Sequence, residues 1–236
     1  MGMKIFFVAL FVVTLVLMSY TRAGKKRKIV FFGDSITELG VKPGGYITQI
    51  DAIIKSDVKN NNYDLIGTGI SGNKIYDLYL RLEEDVLSKS PDITVVYIGV
   101  NDVWHKSLLG TGTDIDKFEK FYRAIIRKLI AANSKIVVCT PAVIGEKKDC
   151  TNEQDGDLNK YADVIRKLSK EYQLPIVDLR QLFMNYYLEH NPENKEKEIL
   201  TLDRVHLNAN GNMFVAEQMW KVLKEINKCL YNYQFF

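Results

Sequence analysis

The sequence predicts an α/β fold with three layers, in which a parallel sheet of about five strands lies between helices. Two observations support this prediction. Short segments rich in β-branched residues alternate along the chain with longer amphipathic segments, and the short segments are almost continuously apolar. Such alternation indicates β-α-β units with right-handed crossovers, and continuous apolar character indicates strands that are covered on both faces.

Each predicted element follows from its local pattern. The strands are the five short apolar runs at residues 28–32, 63–67, 93–98, 135–140 and 175–179. The helices are the segments with apolar residues at helical spacing, at residues 46–58, 74–87, 115–131, 158–172 and 213–226. In the third helix, Phe118, Ile125 and Leu129 belong to one apolar stripe, which indicates a face packed in the core.

The size and charge of the chain limit its organisation and its partners. Its 236 residues, 47% of them hydrophobic and 26% charged, suffice for one sizeable core. We therefore expect a single domain over residues 24–236. The net charge is only +3 and charges of both signs are interleaved, so a small-molecule or glycan substrate fits better than a nucleic acid. The sequence does not indicate an oligomeric state.

Residues 1–23 have the pattern of a targeting segment. An apolar run at residues 5–18 follows Lys4 and precedes the small residues Thr21 and Ala23, as in a secretory signal peptide. The run is shorter than the ~20 residues that span a bilayer. The basic cluster at residues 25–28 favours the alternative, a retained N-terminal membrane anchor. We expect an exported protein, periplasmic or extracellular, with this segment either cleaved or kept as an anchor.

The three cysteines are too few for a disulfide framework. Cys139 is predicted to be a buried strand residue. Cys150 and Cys229 could pair in an exported protein, although their spacing does not require it. The chain offers no Cys-x-x-Cys motif and no histidine cluster, so neither a metal nor a cofactor is predicted.

Small and polar residues follow the first three predicted strands. Ser35 lies in Gly-Asp-Ser after the first strand, Gly-Ile-Ser-Gly at residues 69–72 follows the second, and Asn101 follows the third. Ligands of parallel sheets bind at the carboxyl ends of the strands, where these residues meet. A site at this edge is therefore predicted.

Ser35 requires a base if it is to act as a nucleophile. His206 is the candidate, because Asp203 lies three residues before it and can reach the same imidazole. Taken singly, Gly-Asp-Ser is an ordinary strand-ending turn and Asp203 an ordinary helix N-cap. Their combination with the blocks at residues 69–72 and at Asn101 indicates catalysis.

Together the four blocks resemble the SGNH family of GDSL-type esterases, lipases and acylhydrolases. The family motifs are Gly-Asp-Ser, a loop glycine, Gly-x-Asn-Asp and Asp-x-x-His, which correspond in order to Ser35, Gly72, Asn101 and His206. Ile36 replaces the leucine of the GDSL name. The resemblance implies a flavodoxin-like, doubly wound sheet and a carboxylic ester hydrolase.

The resemblance also implies a role for each matching residue. Ser35 would be the nucleophile, His206 the base and Asp203 the residue that orients His206. The oxyanion hole would consist of the backbone amides of Ser35 and Gly72 and the side-chain amide of Asn101.

Five neighbouring residues are candidates for supporting roles. Asp34 and Asp102 are expected to hold the turns that carry Ser35 and Asn101. Trp104 and His105 are candidates for the substrate pocket. Arg204 would place a positive charge near the site, which either favours an acidic or sugar-linked substrate or forms a surface salt bridge.

The preferred function is hydrolysis of short acyl esters, acetyl esters in particular, on an extracytoplasmic carbohydrate. Because family members differ in substrate, a lipase, lysophospholipase or thioesterase for longer acyl chains is the first alternative. A non-catalytic, secreted glycan-binding module is an alternative from another class. A remote alternative is a dinucleotide-binding protein, since residues 67–72 spell Gly-x-Gly-x-x-Gly. That fingerprint needs an acidic residue after the next strand, whereas Asp92 precedes it.

Overall fold

The computed structural model of the protein contains the predicted parallel sheet. The structure describes residues 26–57 and 62–232, and side chains up to residue 226. Within these residues the strands are β1 (Arg27–Gly33), β2 (Tyr63–Gly69), β3 (Ile93–Tyr97), β4 (Lys135–Cys139) and β5 (Ile176–Val177). All neighbouring strands are parallel, in the order β2-β1-β3-β4-β5. This order is that of flavodoxin-like doubly wound sheets, so the predicted fold class is confirmed.

Helices cover both faces of this sheet. The helices of the described residues are α1 (Ser35–Gly40), α2 (Tyr46–Ser56), α3 (Ile75–Asp85), α4 (Val100–Leu109), α5 (Ile115–Ala131), α6 (Asp155–Tyr172), α7 (Leu179–His190) and α8 (Ala209–Asn232). Helix α2 packs against α8, whereas α3 packs against α5 and α5 against α6. Shielding from water on both faces explains why the strands are apolar along most of their length.

The centre of the core lies on β1, β3 and β4. In the sheet register, Phe31 is paired with Val95 and Val95 with Val137, and all three residues are fully buried. The predicted apolar stripe of α5 faces this core, with Phe118 and Leu129 among its fully buried residues. The central strand β1 is thereby fixed between two neighbours, which matters because Ser35 follows it.

Three helices are absent from the sequence prediction. Helix α1 begins at Ser35 itself, and α4 begins directly after Gly99. Helix α7 begins where the sequence predicts a continuing strand, because Asp178 caps its first turn and leaves β5 with two residues. The predicted starts of α6 and α8 were also late, by three and four residues. Helices α1 and α4, of six and ten residues, are too short to show a clear helical period, and α7 begins with Leu179, which continues the apolar run of β5.

Some sequence predictions concern residues outside the described part of the chain. The targeting segment at residues 1–23 and the side chain of Cys229 lie outside it. No described helix combines the length and the apolar character needed to cross a membrane. Cys139 is buried in β4, as predicted, and Cys150 is exposed and free. Export and membrane anchoring therefore stay predictions.

Gly33, the last residue of β1, has no space for a side chain. A Cβ atom there would lie 2.3 Å from Thr37 Oγ1 and 2.4 Å from the carbonyl oxygen of Tyr97. We expect Gly33→Ala to lower the free energy of unfolding by about 1–3 kcal/mol, the usual cost of overpacking. Gly156→Ala is the matched control, because a Cβ atom in this first turn of α6 meets nothing within 4 Å. The control should gain roughly 0.5–1 kcal/mol from helix propensity. Urea denaturation measures both changes, and equal stabilities would contradict the packing argument.

Candidate active site

Ser35 lies at the carboxyl edge of the sheet, directly after the central strand β1. Asp34 caps α1: its Oδ1 accepts a hydrogen bond from the Ile36 amide (3.0 Å), and its carbonyl oxygen accepts one from the Glu38 amide (2.9 Å). Ser35 is only 8% exposed. Strands β2 and β3 flank β1, so the strand order reverses at this point. Ser35 therefore occupies the switch point at which doubly wound sheets bind ligands.

Ser35, His206 and Asp203 form a continuous hydrogen-bonded chain. Ser35 Oγ lies 2.9 Å from His206 Nε2, and His206 Nδ1 lies 2.7 Å from Asp203 Oδ2. An ionised Asp203 accepts the Nδ1 proton, which leaves the Nε2 lone pair facing the serine hydroxyl. This arrangement can withdraw the proton of Ser35 as its oxygen attacks a carbonyl carbon.

Asp203 is oriented by its own loop. Its Oδ1 accepts hydrogen bonds from the backbone amides of Val205 (3.1 Å) and His206 (2.8 Å). Partial burial raises the pKa of Asp203, but the hydrogen bonds from the His206 side chain and from these amides outweigh that effect and hold the pKa below its usual value. Asp203 is therefore ionised at neutral pH.

Gly72 and Asn101 follow the two strands that flank β1. Gly72, in the loop after β2, has a φ of 75°, a left-handed conformation that glycine adopts without strain. Asn101 is the second residue of α4 and is 3% exposed. Its Nδ2 donates to the carbonyl oxygen of Asn73 (3.1 Å), which uses one of two amide protons.

The loop between β2 and α3, residues 70–74, is held by two charged residues that the sequence analysis does not single out. Glu38 Oε2 accepts hydrogen bonds from the amide and the hydroxyl of Ser71, both at 2.6 Å. Arg81 donates to the carbonyl oxygens of Gly33 (2.7 Å) and Thr68 (2.8 Å) at the ends of β1 and β2, and also to Asn73 Oδ1 (2.7 Å) in the loop and Asp85 Oδ2 (2.6 Å). Carbonyl groups at strand ends need donors of this kind. The sequence shows that carbonyl groups at these strand ends need donors, but it does not show that Arg81 supplies them.

Asp34 is buried beneath Ser35. Burial raises the pKa of Asp34 to about 7; the Ile36 amide lowers it, Asp102 raises it and His206 lowers it to smaller extents. The Asp34 carboxyl group thus bonds to the first turn of α1, next to Ser35.

Asp102 is buried beside Asn101. Burial raises the pKa of Asp102 to about 6, against the opposing effects of Thr113, the Ile75 amide and Lys74. Its Oδ1 accepts a hydrogen bond from the Ile75 amide (3.2 Å), which connects α4 to the end of the loop at residues 70–74.

The candidate pocket residues lie in different environments. The Trp104 ring meets the His206 ring edge to face, with centroids 6.4 Å apart. His105 lies near Gly72, since a Cβ atom on that glycine would be 3.9 Å from His105 Cε1. Burial, aided by Lys74, lowers the pKa of His105. Arg204 Nε is 2.8 Å from Glu196 Oε1 in an exposed ion pair, which favours the salt-bridge interpretation of Arg204.

The dinucleotide interpretation finds no support at residues 67–72. Gly67 and Gly69 belong to β2 and do not form a loop. Asp92 lies just before β3, at the opposite edge of the sheet, and its carboxylate accepts a hydrogen bond from the Lys28 amide (2.8 Å).

A cavity of about 540 Å³ also lies at that opposite edge and has no contact with Ser35. Within the described residues, no three His, Cys, Asp or Glu side chains are grouped as metal ligands would be.

The raised pKa of Asp34 predicts a pH-dependent stability. The pKa rises from 3.8 to about 7 on folding, so the folded protein holds this proton more tightly than the unfolded chain. The resulting stabilisation is complete below about pH 4 and is lost as the pH rises to 7. Asp34→Asn carries no titrating group at this position, so its stability does not depend on this proton. Between pH 4 and 7 the variant should therefore gain stability relative to wild type, by about 1.4 kcal/mol for each unit of pKa shift. Urea denaturation from pH 4 to 8 measures the difference, and a constant difference would contradict the prediction.

Comparison with known sequences identifies the family. The model of the GDSL-like lipase/acylhydrolase family matches residues 31–213, which contain all four blocks. An acetylxylan esterase of Geobacillus stearothermophilus is 28% identical over 213 residues, covering 83% of this chain and 93% of that protein. A GDSL esterase/lipase of Arabidopsis thaliana is 25% identical and covers 84% of this chain and 79% of its own length.

Solved structures agree with this relationship. The crystal structure of an acetyl xylan esterase, AlAXEase, superposes with a TM-score of 0.81 and 59% sequence identity, over 82% of this chain and 98% of that chain. The acetylxylan esterase Axe2 of Geobacillus stearothermophilus has a TM-score of 0.73 and 26% identity, over 84% and 94% of the two chains. The chain therefore belongs to the GDSL-like lipase/acylhydrolase family and is a carboxylic ester hydrolase.

Proposed function

We propose that the protein is a serine esterase in which Ser35 is the nucleophile, His206 the general base and Asp203 the residue that orients the base. The observation that supports this most strongly is the hydrogen-bonded chain from Ser35 Oγ through the imidazole to Asp203. The relatives add support, because Axe2 has been solved as catalytic mutants in which a serine, an aspartate or a histidine is replaced by alanine.

In the first step, Ser35 Oγ attacks the ester carbonyl carbon and its proton passes to His206 Nε2. Asp203 stabilises the imidazolium that forms. The negative charge on the carbonyl oxygen is stabilised by the backbone amides of Ser35 and Gly72 and by the Asn101 carboxamide. These donors are neutral and do not compete with His206 for the proton.

In the second step, the tetrahedral intermediate collapses and the ester bond breaks. His206 gives its proton to the departing alcohol oxygen, and the acyl group stays on Ser35 Oγ. A water molecule then attacks the acyl group while His206 accepts its proton. Collapse of this second intermediate releases the carboxylic acid and restores the Ser35 hydroxyl.

The proposed substrate is an acetyl ester of an extracytoplasmic carbohydrate. AlAXEase and the Geobacillus enzyme are both acetylxylan esterases, and they support this choice. Trp104 and His105 are the proposed walls of the pocket. The extracytoplasmic location rests on the targeting pattern of residues 1–23 alone.

Hydrolysis of longer acyl chains is the second candidate. Exposed apolar side chains lie on the segments that carry the site, namely Leu39 at the end of α1, Ile70 in the loop between β2 and α3, and Leu202 beside Asp203. These side chains offer an apolar surface to a lipid or thioester acyl chain. A non-catalytic glycan-binding module disagrees with the family match, which makes the protein a carboxylic ester hydrolase.

A series of chromogenic esters from acetyl to long acyl chains tests the proposed function. We expect kcat/KM to fall as the acyl chain lengthens, and Ser35→Ala to abolish turnover. Ser88→Ala, which changes an exposed serine on a distant turn, is the matched control and should retain full activity. A rising kcat/KM would favour the longer-chain candidate, and activity in Ser35→Ala would exclude Ser35 as the nucleophile.

Asn101→Ala tests the oxyanion hole. Loss of one oxyanion donor costs about 100- to 1000-fold in kcat, and we expect a loss of that size with an intact fold. Asn101→Asp preserves the shape of the side chain but replaces the donor by an acceptor, so it should be at least as impaired. Turnover of acetyl esters and the circular dichroism spectrum measure the two effects. An unchanged kcat in Asn101→Ala would remove Asn101 from the oxyanion hole.

A further inference from the structure

The loop that carries Asp203 and His206 lies outside the sheet and the helices. In this acid–base loop, residues 199–207, the ends are joined by an antiparallel bridge between Thr201 and Leu207. Within it, the Leu202 amide donates to the carbonyl oxygen of His206 (2.7 Å). These contacts close the loop on itself, but they do not attach it to the rest of the protein. The buried side chains of Leu200 and Val205 anchor it in the core, and Asn208, just before α8, bonds to the backbone of residues 199–201.

Glu146 provides a further, polar attachment. It follows β4 and is fully buried. Its carboxylate accepts hydrogen bonds from three consecutive amides at the start of the acid–base loop, those of Ile199 (2.7 Å), Leu200 (2.8 Å) and Thr201 (2.7 Å). The hydroxyl group of Tyr187 donates a fourth hydrogen bond (3.1 Å). A buried carboxylate is costly unless it is bonded in this way, and buried amides without an acceptor are costly too.

The residue before Glu146 contacts the same loop at a second point. The Gly145 amide donates to the carbonyl oxygen of Arg204 (2.9 Å), which lies between Asp203 and His206. Arg204 has a φ of 87°, so the loop turns sharply at this residue. Gly145 and Glu146 therefore contact the acid–base loop at two points, which are its first residues, 199–201, and the turn at Arg204.

We propose that Glu146 is a positioning residue that keeps His206 Nε2 at Ser35 Oγ. This inference rests on the proposed catalytic roles of Asp203 and His206. Glu146 does not touch the reacting atoms and acts through the backbone of residues 199–201. Glu146 follows β4, which belongs to the same sheet as β1. It therefore connects the acid–base loop to the sheet whose central strand precedes Ser35.

Glu146→Gln tests the inference with little change of volume. One carboxylate oxygen becomes an NH₂ group, which faces a backbone amide and cannot accept its proton. We expect kcat to fall about 10- to 100-fold, the scale of a misplacement of roughly 1 Å, with KM changed by less than about threefold. Hydrogen exchange of the amides of residues 199–201 should accelerate. A wild-type kcat in the folded variant would overturn the inference.

Glu146→Asp is the second variant, which retains the charge but is one methylene shorter. Its kcat should lie between those of wild type and Glu146→Gln, and an Asp variant with full activity and unchanged exchange would also overturn the inference.

Tyr187→Phe removes only the donor that lies outside the loop, so its kcat should stay within about twofold of wild type. A loss as large as that of Glu146→Gln would show that the loop amides are not the cause.

Two controls separate positioning from stability and from the proposed function. Thr94→Val breaks the buried hydrogen bond between the hydroxyls of Thr94 and Ser134 (2.8 Å), far from the site. It should lower the melting temperature without changing kcat well below that temperature. Ser35→Ala and His206→Ala, assayed alongside, report on the proposed function. If both are inactive while Glu146→Gln is fully active, only the positioning inference fails; if either retains activity, the proposed function fails.

Discussion

The contact between Ser35 Oγ and His206 Nε2 joins residues 171 positions apart in the chain, and the geometry of the whole site depends on it. Such a bond weakens steeply when its angle or distance changes, so both partners must be held. Ser35 is held by regular structure, because β1 is a central strand and Asp34 caps α1. His206 lies in a loop, and buried polar contacts hold that loop in place. The two partners are thus positioned by different physical means.

Three carboxyl groups lie at the carboxyl edge of the sheet, and their surroundings determine their pKa values. In Asp34 and Asp102 burial dominates, and their pKa values are raised to about 7 and about 6. In Asp203, hydrogen bonds from His206 and the loop amides dominate, and its pKa is lowered. A group that stabilises an imidazolium has to be ionised, whereas a group that caps a turn is only required to accept a hydrogen bond.

Family membership and local geometry answer different questions about this protein. The match to the GDSL-like lipase/acylhydrolase family establishes ester hydrolysis. The choice of substrate depends on the side chains around the edge, which include Trp104 beside His206, His105 near Gly72 and the exposed apolar side chain of Ile70. A sugar ester and a longer acyl chain would use different parts of this surface, which is why the acyl specificity remains a proposal.

The sequence by itself determined the fold class, the five strands and the candidate residues Ser35, Asp203 and His206. These features depend on local patterns: continuous apolar runs, small residues after strands and an i to i+3 spacing. The starts of α1, α4 and α7 were missed because α1 and α4 are too short to show a helical period and α7 begins within an apolar run that reads as strand. Only the tertiary structure decided which other residues hold the site. Arg81, Glu38 and Glu146 act through hydrogen bonds to distant backbone groups, and a contact between distant residues leaves no periodic or spaced pattern in one sequence.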